Sequence, residues 1–250
     1  MSLAVYEFPL NEKVRTYLRL EQLFKQLSQC HSLTEDWQFI SFFESFFTLL
    51  DLIERVDIRT DILRDIEIHE RNLVHWSQHP NIDNHALQAT LRRIVNFRDQ
   101  LKSARKIGAK LKDDKFLSSI RQRFSIPGAT CSFDLPNLHF WLKQPRNIIH
   151  QDIDRWMLEF EIIHQSISIT MSFLRERGRL TETIAEKGFY QDTADAKNEL
   201  IRVECSTDQG YYPTLSGNKH RFAIRFMRFD SAESGQISQE SDVKFGLSCC

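Results

Sequence analysis

Apolar side chains along the first half of the chain recur with the 3.6-residue period of a helix. Val14, Tyr17, Leu20, Phe24 and Leu27 fall on one stripe of a helix opening near Asn11. Thr34 suits the N-cap of a second helix, which carries Trp37, Ile40, Phe43, Phe46, Phe47, Leu50 and Ile53. Phe39 and Phe42 lie outside that stripe, so this helix is apolar nearly all round. It must be either central to a core or covered by a second subunit. Ile58, Ile62, Ile66, Leu73 and Trp76 mark a third helix, ended by His79-Pro80. Asp83 is placed to cap a fourth through Leu87, Leu91, Ile94, Val95 and Leu101, and Phe116, Leu117, Ile120 and Phe124 mark a short basic fifth. The spacing predicts a last helix from an Asp152 cap through Trp156, Phe160, Ile163, Ile167 and Leu174, closed by Gly178.

Elsewhere the period drops to two. In Cys131-Ser-Phe-Asp-Leu135 the odd positions are apolar, bracketed by Pro127-Gly128 and Pro136. After residue 180 alternation dominates. Ile201, Val203 and Cys205 form one row, Phe222, Ile224 and Phe226 a second, and Val243, Phe245, Leu247 and Cys249 a third. Turn residues separate them at Asp208-Gln-Gly210, Ser216-Gly217-Asn218 and Ser234-Gly235. This predicts an antiparallel sheet with one wet face. The fold class is α+β: a helical bundle domain of residues 1–125 plus 146–180, and a separate, mainly antiparallel β-strand domain of residues 126–145 plus 181–250.

Charge changes the picture more than composition does. The whole chain has a formal charge of -1, but residues 92–123 hold 11 basic and 3 acidic residues while residues 1–91 hold 8 basic and 14 acidic. A local field of that size steers association even when the total is near zero. The 19 Phe require a large core or an apolar contact face. No apolar stretch reaches the length of a membrane span, and no secretory leader is expected at the N-terminus. Five cysteines, an odd number in a chain this long, read as reduced cytoplasmic thiols.

Catalytic chemistry finds little support. The 8 Gly are scattered, with no phosphate-cradling loop and no nucleophile elbow. His75 and His79 are spaced for one helical face but lack further ligands, so a structural or exposed role is expected, not a metal site. Cys131 reads as a buried, inert thiol. Phe222, Ile224 and Phe226 share an uncharged face, which fits core packing better than base stacking.

The basic residues carry more. Alternation places Arg221 and Arg225 on one strand face, where they are expected one same-face step, about 7 Å, apart. Lys219, His220 and Arg228 strengthen the field, with no acid from Lys219 to Phe229. Beside the bland reading, an exposed face of long side chains over apolar surface, stands an anion- or peptide-docking groove, which a bidentate guanidinium suits. A nucleic-acid-binding regulator using the 92–123 surface is the alternative.

Seven blocks occur in order across the chain: Phe8-Pro-Leu-Asn-Glu-Lys13, Arg19-Leu-Glu21, Arg121-Gln-Arg-Phe-Ser-Ile-Pro-Gly128, Cys131-Ser-Phe-Asp-Leu-Pro136, Gly188-Phe-Tyr-Gln-Asp192, Arg221-Phe-Ala-Ile-Arg-Phe-Met227 and Cys249-Cys250. In them the chain resembles the ZapD family of bacterial cell-division proteins that associate with the FtsZ ring. The resemblance implies a non-catalytic cytoplasmic homodimer at the mid-cell division ring, with a helical and a β domain. Its implied role is to bind the C-terminal tail of FtsZ through a basic surface and to crosslink or bundle FtsZ filaments. It implies Arg221, Arg225, Arg55 and Lys115 as partner-binding positions, joined here by their neighbours Arg228, Arg121 and Arg123. Lys115 stands where the family has Arg, which keeps the charge and loses the fork. No cofactor, metal, nucleic acid or membrane insertion is expected.

Overall fold

A strand precedes the first helix, where the sequence reading had none. In the computed structural model, which describes residues 2–77, 84–103, 107–228, 237–238 and 241–250, Leu3–Pro9 forms β1. Its inward Tyr6 and Phe8 join the β core. Seven further strands are β2 (Thr181–Ala185), β3 (Phe189–Thr193), β4 (Leu200–Ser206), β5 (Tyr211–Gly217), β6 (Arg221–Arg228), β7 (Ile237–Ser238) and β8 (Val243–Cys249). The described helices are α1 (Glu12–Leu27), α2 (Asp36–Arg55), α3 (Ile58–Trp76), α4 (Asn84–Ser103), α5 (Ala109–Asp113), α6 (Lys115–Arg121), α7 (Pro136–Leu142), α8 (Arg146–Leu158) and α9 (Glu161–Arg177). The α+β class is therefore observed. The chain divides into two units, Met1–Leu18 with Met171–Cys250, and Arg19–Thr170.

In the first unit the strands form two antiparallel sheets, ordered β1-β4-β8-β2 and β3-β6-β5, with β7 paired to β6. One sheet was expected; the three apolar rows instead come from both sheets and meet in one core. Ile201, Val203, Cys205, Val243, Phe245 and Leu247 from the first pack with Phe222, Ile224 and Phe226 from the second. Burial of Phe222, Ile224 and Phe226 removes them as a base-stacking platform. Asn11 caps α1, its Oδ1 accepting from the Val14 amide at 2.8 Å. Outside the core, Glu7 of β1 receives a bidentate pair from Arg175, both at 2.7 Å, and a third bond from Arg202 at 3.0 Å. Gly178 follows α9, but not as a left-handed cap. A Cβ there would lie 2.2 Å from Ser248 Oγ and 2.4 Å from Cys250 Sγ, so close packing on β8 selects glycine.

The second unit is built around α2. Both its apolar faces are buried within one chain, Phe42 and Phe47 included, so its all-round hydrophobicity reports a central core helix and calls for no second subunit. Phe43 is the hub: its ring lies 5.3 Å from Trp141, 5.8 Å from Trp156, 5.9 Å from Phe47 and Phe124, and 6.2 Å from Phe116. The two tryptophans satisfy their indole N–H groups on acids, Trp141 on Asp152 at 2.9 Å and Trp156 on Asp114 at 3.0 Å.

Three helix ends differ from the pattern reading. Glu35, one residue after Thr34, is the N-cap of α2 and forms a reciprocal capping box with Gln38. Asp152 sits inside α8, and the predicted last helix is two, α8 and α9, parted at Glu159–Phe160. Cys131–Leu135 is not a strand but a run of turns, with the Leu135 amide bonded to the Cys131 carbonyl at 2.9 Å, leading into α7 with Pro136 in its first turn. Leu135, Leu138, Trp141 and Leu142 are buried in the helical unit, so 126–145 joins that unit and not the sheets. Five alternating residues are too few to separate a strand from a turn, and the outward Phe133 carries no burial. Cys131 is accordingly exposed, against the expectation of burial. The His79-Pro80 stop, the Asp83 cap, Arg105, Lys106 and the Ser234-Gly235 turn lie outside the described residues.

No helix among the described residues is long and apolar enough to cross a membrane, and no group of three or more potential metal ligands gathers among them.

Candidate partner-binding site

The β5–β6 hairpin positions Arg221. Asn218 begins an Asx turn whose Oδ1 accepts from the His220 amide at 2.9 Å and the Arg221 amide at 3.3 Å. The Asn218 amide closes the hairpin on the Arg221 carbonyl at 2.9 Å. Gly217 is required there: a Cβ would stand 2.7 Å from that carbonyl oxygen and 2.8 Å from Phe222 Cα. The strand thus starts at Arg221 with Phe222 turned into the core and the guanidinium turned out.

Register then fixes what surrounds it. On the outer face of the β3-β6-β5 sheet, Thr193 lies opposite Arg221, Gln191 opposite Ala223 and Phe189 opposite Arg225. From the other side, Ser216 lies opposite Ala223 and Thr214 opposite Arg225. Arg221 and Arg225 are therefore two same-face steps apart, about 13 Å along the strand, with small Ala223 between them. The expected spacing of one step is corrected; the two cations flank a saddle and do not crowd each other.

A cleft of about 730 Å³ lies on this surface, lined by Gln191, Asp192, Thr193, Ser216, Gly217, Asn218, Arg221, Phe222 and Ala223. The acid at its rim is engaged elsewhere. Asp192 accepts from the Tyr190 hydroxyl at 3.0 Å and the Thr193 amide at 2.7 Å. Burial and that carboxylate together push the Tyr190 phenol up to about 12, so it stays a neutral donor. Arg221 is exposed and makes no ion pair with any described residue. Arg225 holds its guanidinium 5.1 Å from the centre of the Phe189 ring, a cation–π contact on the same face. Arg228 ends β6 and is exposed.

The other candidate residues belong to the helical unit. Arg55 ends α2, exposed, beside a cavity of about 370 Å³ lined by residues 53–59 and Ile107. Lys115 opens α6 and Arg123 follows it; both are exposed and make no ion pair with a described residue. Arg121 is different. It grips Glu54 with two bonds of 3.1 Å and also binds Asp51. Its charge is thus shared with two acids of the same chain, unlike that of Arg221.

The same internal pairing runs through the 92–123 surface. Arg98 binds Glu70 and Asp99, Lys102 binds Glu67 at 2.8 Å, Lys110 binds Glu159 at 2.7 Å and Lys112 approaches Glu54 at 3.4 Å. The sequence shows a block of net +8; the fold brings acids from α2, α3 and the α8–α9 junction against it. Phosphate neutralisation needs unpaired cations, and this pairing leaves Arg92, Arg93, Lys115 and Arg123 as the described cations of that block without an ion pair, so the nucleic-acid alternative loses part of its support.

Glu54 shows how this network responds to pH. Burial pushes its carboxyl up, but the hydrogen bonds and charges of Arg121 and Lys112 outweigh that and hold it below the usual range. A carboxyl depressed by folding stabilises above its unfolded pKa and loses that contribution as pH falls through the folded value. Arg121→Met should cost about 1–2 kcal/mol at neutral pH in urea unfolding. That difference should shrink steadily as pH drops below the carboxylate range.

Sequence reasoning singled out the arginines but not Gln191, Thr193, Ser216 and Asn218, which complete the cleft. The signal was present: in Phe189–Thr193 the odd residues sit on the outer face by period two. Nothing in the residues alone paired that strand with β6.

The chain matches the family model described as ZapD, a cell division protein, over residues 18–225. It is similar to a cell division protein ZapD from Pectobacterium carotovorum, 37% identical over 249 residues, spanning 100% of this chain and 98% of the relative. The similarity to the ZapD of Shewanella oneidensis is 40% over 246 residues, 98% of each chain, and to that of Vibrio atlanticus 37% over 245 residues, again 98% of each. Relatives matched over nearly their whole length, with a family model that reaches into both units, fix the assignment: this chain belongs to the ZapD family of cell division proteins.

Proposed function

We propose that the chain is a non-catalytic adaptor of cell division that binds the C-terminal tail of FtsZ on the Arg221–Arg225 face and, as a homodimer, crosslinks FtsZ filaments at the division ring. The observation that carries the reading is an exposed arginine with no acid paired to it among the described residues, at the edge of a polar cleft, whereas Arg98, Lys102, Lys110, Lys112 and Arg121 of the other basic cluster are each paired with acids of the same chain. Arg225 and Arg228 on the same strand supply supporting field; Arg55, Lys115 and Arg123, in the helical unit, are proposed as further partner-binding positions.

The energetics suit a crosslinker. Charge-assisted hydrogen bonds at an exposed site contribute roughly 1–2 kcal/mol each, and ordering a flexible tail costs several, which leaves a micromolar, salt-sensitive site. A filament presents many tails and a dimer two faces, so weak sites add to firm bundling. A symmetric pair of protomers is needed, because a single site would only decorate a filament. The test is co-sedimentation with FtsZ polymers, run with intact and with tail-truncated FtsZ. Pelleting with intact filaments alone is expected; equal pelleting with both would refute tail recognition.

A further inference from the structure

The cleft opens onto a sheet edge, and the backbone pattern there has a consequence for how a tail is held. On β3 the carbonyl of Gly188 accepts from Phe226 N at 2.8 Å and the amide of Ala194 donates to His220 O at 2.9 Å. Antiparallel ladders alternate, so the even residues of β3 face β6, and the amides and carbonyls of Phe189, Gln191 and Thr193 face outward. Two of the three outward amides are occupied: Phe189 N by Glu186 O at 2.9 Å, and Thr193 N by Asp192 Oδ1 at 2.7 Å. Gln191 presents both its N–H and its C=O to the edge, with no partner among the described residues. β7 pairs with β6 only at Met227 and Arg228, beyond this stretch.

The opposite edge is closed to a strand. Asn218 N bonds Arg221 O, so on β5 the odd residues face outward, and one of them is Pro213. Proline has no N–H to offer and interrupts any added strand at its centre.

We propose that an extended acidic peptide docks by strand addition on β3, centred on Gln191, and that this is the mode by which the FtsZ tail is held; the inference therefore rests on the function proposed above. A strand added to β3 lies about 4.8 Å from it and about 10 Å from β6. Its same-face side chains fall in the rows of Phe189–Arg225, Gln191–Ala223 and Thr193–Arg221. Two carboxylates four residues apart on the peptide thus meet Arg225 and Arg221 together, while the residue between them passes over the saddle of Ala223. Main-chain bonds supply the affinity and the two arginines set the register.

The experiment is a scan of FtsZ tail peptides, each methylated at one backbone nitrogen, titrated onto the full chain by fluorescence anisotropy. Strand addition predicts losses with a period of two: methylation at amides facing β3 weakens binding about tenfold, and at those facing away by less than about threefold. Gln191→Pro, which removes an edge donor without touching a β6 bond, should weaken the unmodified peptide to a similar degree while the unfolding midpoint holds. Should that variant misfold, the peptide scan decides alone. A flat scan, or a helical period of three to four, overturns strand addition and leaves tail recognition standing. Failure of the unmodified peptide to bind overturns both.

Discussion

On the proposed function, Arg221→Glu is expected to abolish FtsZ bundling while the protein stays folded and keeps its wild-type oligomeric state. The side chain is exposed and makes no ion pair among the described residues, so reversal costs the fold little, within about 0.5 kcal/mol. At the cleft the change does two things. It removes the fork that grips a carboxylate, and it sets a negative charge beside Asp192 where an acidic tail must land. Loss of one charge-assisted contact plus a like-charge repulsion should weaken each site about tenfold to a hundredfold. Crosslinking needs both sites of a dimer at once, so that loss compounds, and filaments should remain single in light scattering and sedimentation. Arg121→Glu makes the matched control with the opposite pattern: it should lower stability, because Glu54 and Asp51 lose their partner.

The largest effect on stability is expected from Phe43→Ala. The ring is fully buried and touches six aromatic neighbours across α2, α6, α7 and α8 and the turn after α6. Truncation loses the transfer energy of the ring and leaves a cavity that packed tryptophans cannot collapse into, at a cost of about 3–5 kcal/mol. Chemical denaturation should show a clearly lower midpoint for the helical unit. Because α2 spends its apolar surface inside one chain, sedimentation velocity should find the folded fraction in the wild-type oligomeric state.

Much of the fold was legible in periodicity, because each element buries one face. Asn11 as the start of α1, the stripe through Leu27, and the rows through Ile201, Phe222 and Phe245 all describe what is observed. The failures share a cause: short segments whose burial is decided by distant partners. Leu3–Pro9 becomes a strand because β4 lies beside it, and no local periodicity sets it apart. Cys131–Leu135 alternates yet turns, because Pro136 starts a helix and Phe133 points to solvent. The site was half legible for the same reason. A strand of alternating polarity announces that Arg221 and Arg225 share a face, but whether an arginine is free depends on acids far along the chain. Arg121 meets Glu54 and Asp51 from α2, while the acid nearest Arg221 on β3 is held by Tyr190.

The claim at the centre of this account is that the tail lands on the outer face of the β3-β6-β5 sheet. Amide chemical-shift mapping of the isotope-labelled chain, titrated with unlabelled FtsZ tail peptide, tests it directly. Shifts gathered on Phe189–Thr193, Ser216–Asn218 and Arg221–Arg225, fading as salt rises, are predicted. Shifts confined to residues 92–123, with the β3 and β6 amides unmoved, would contradict it.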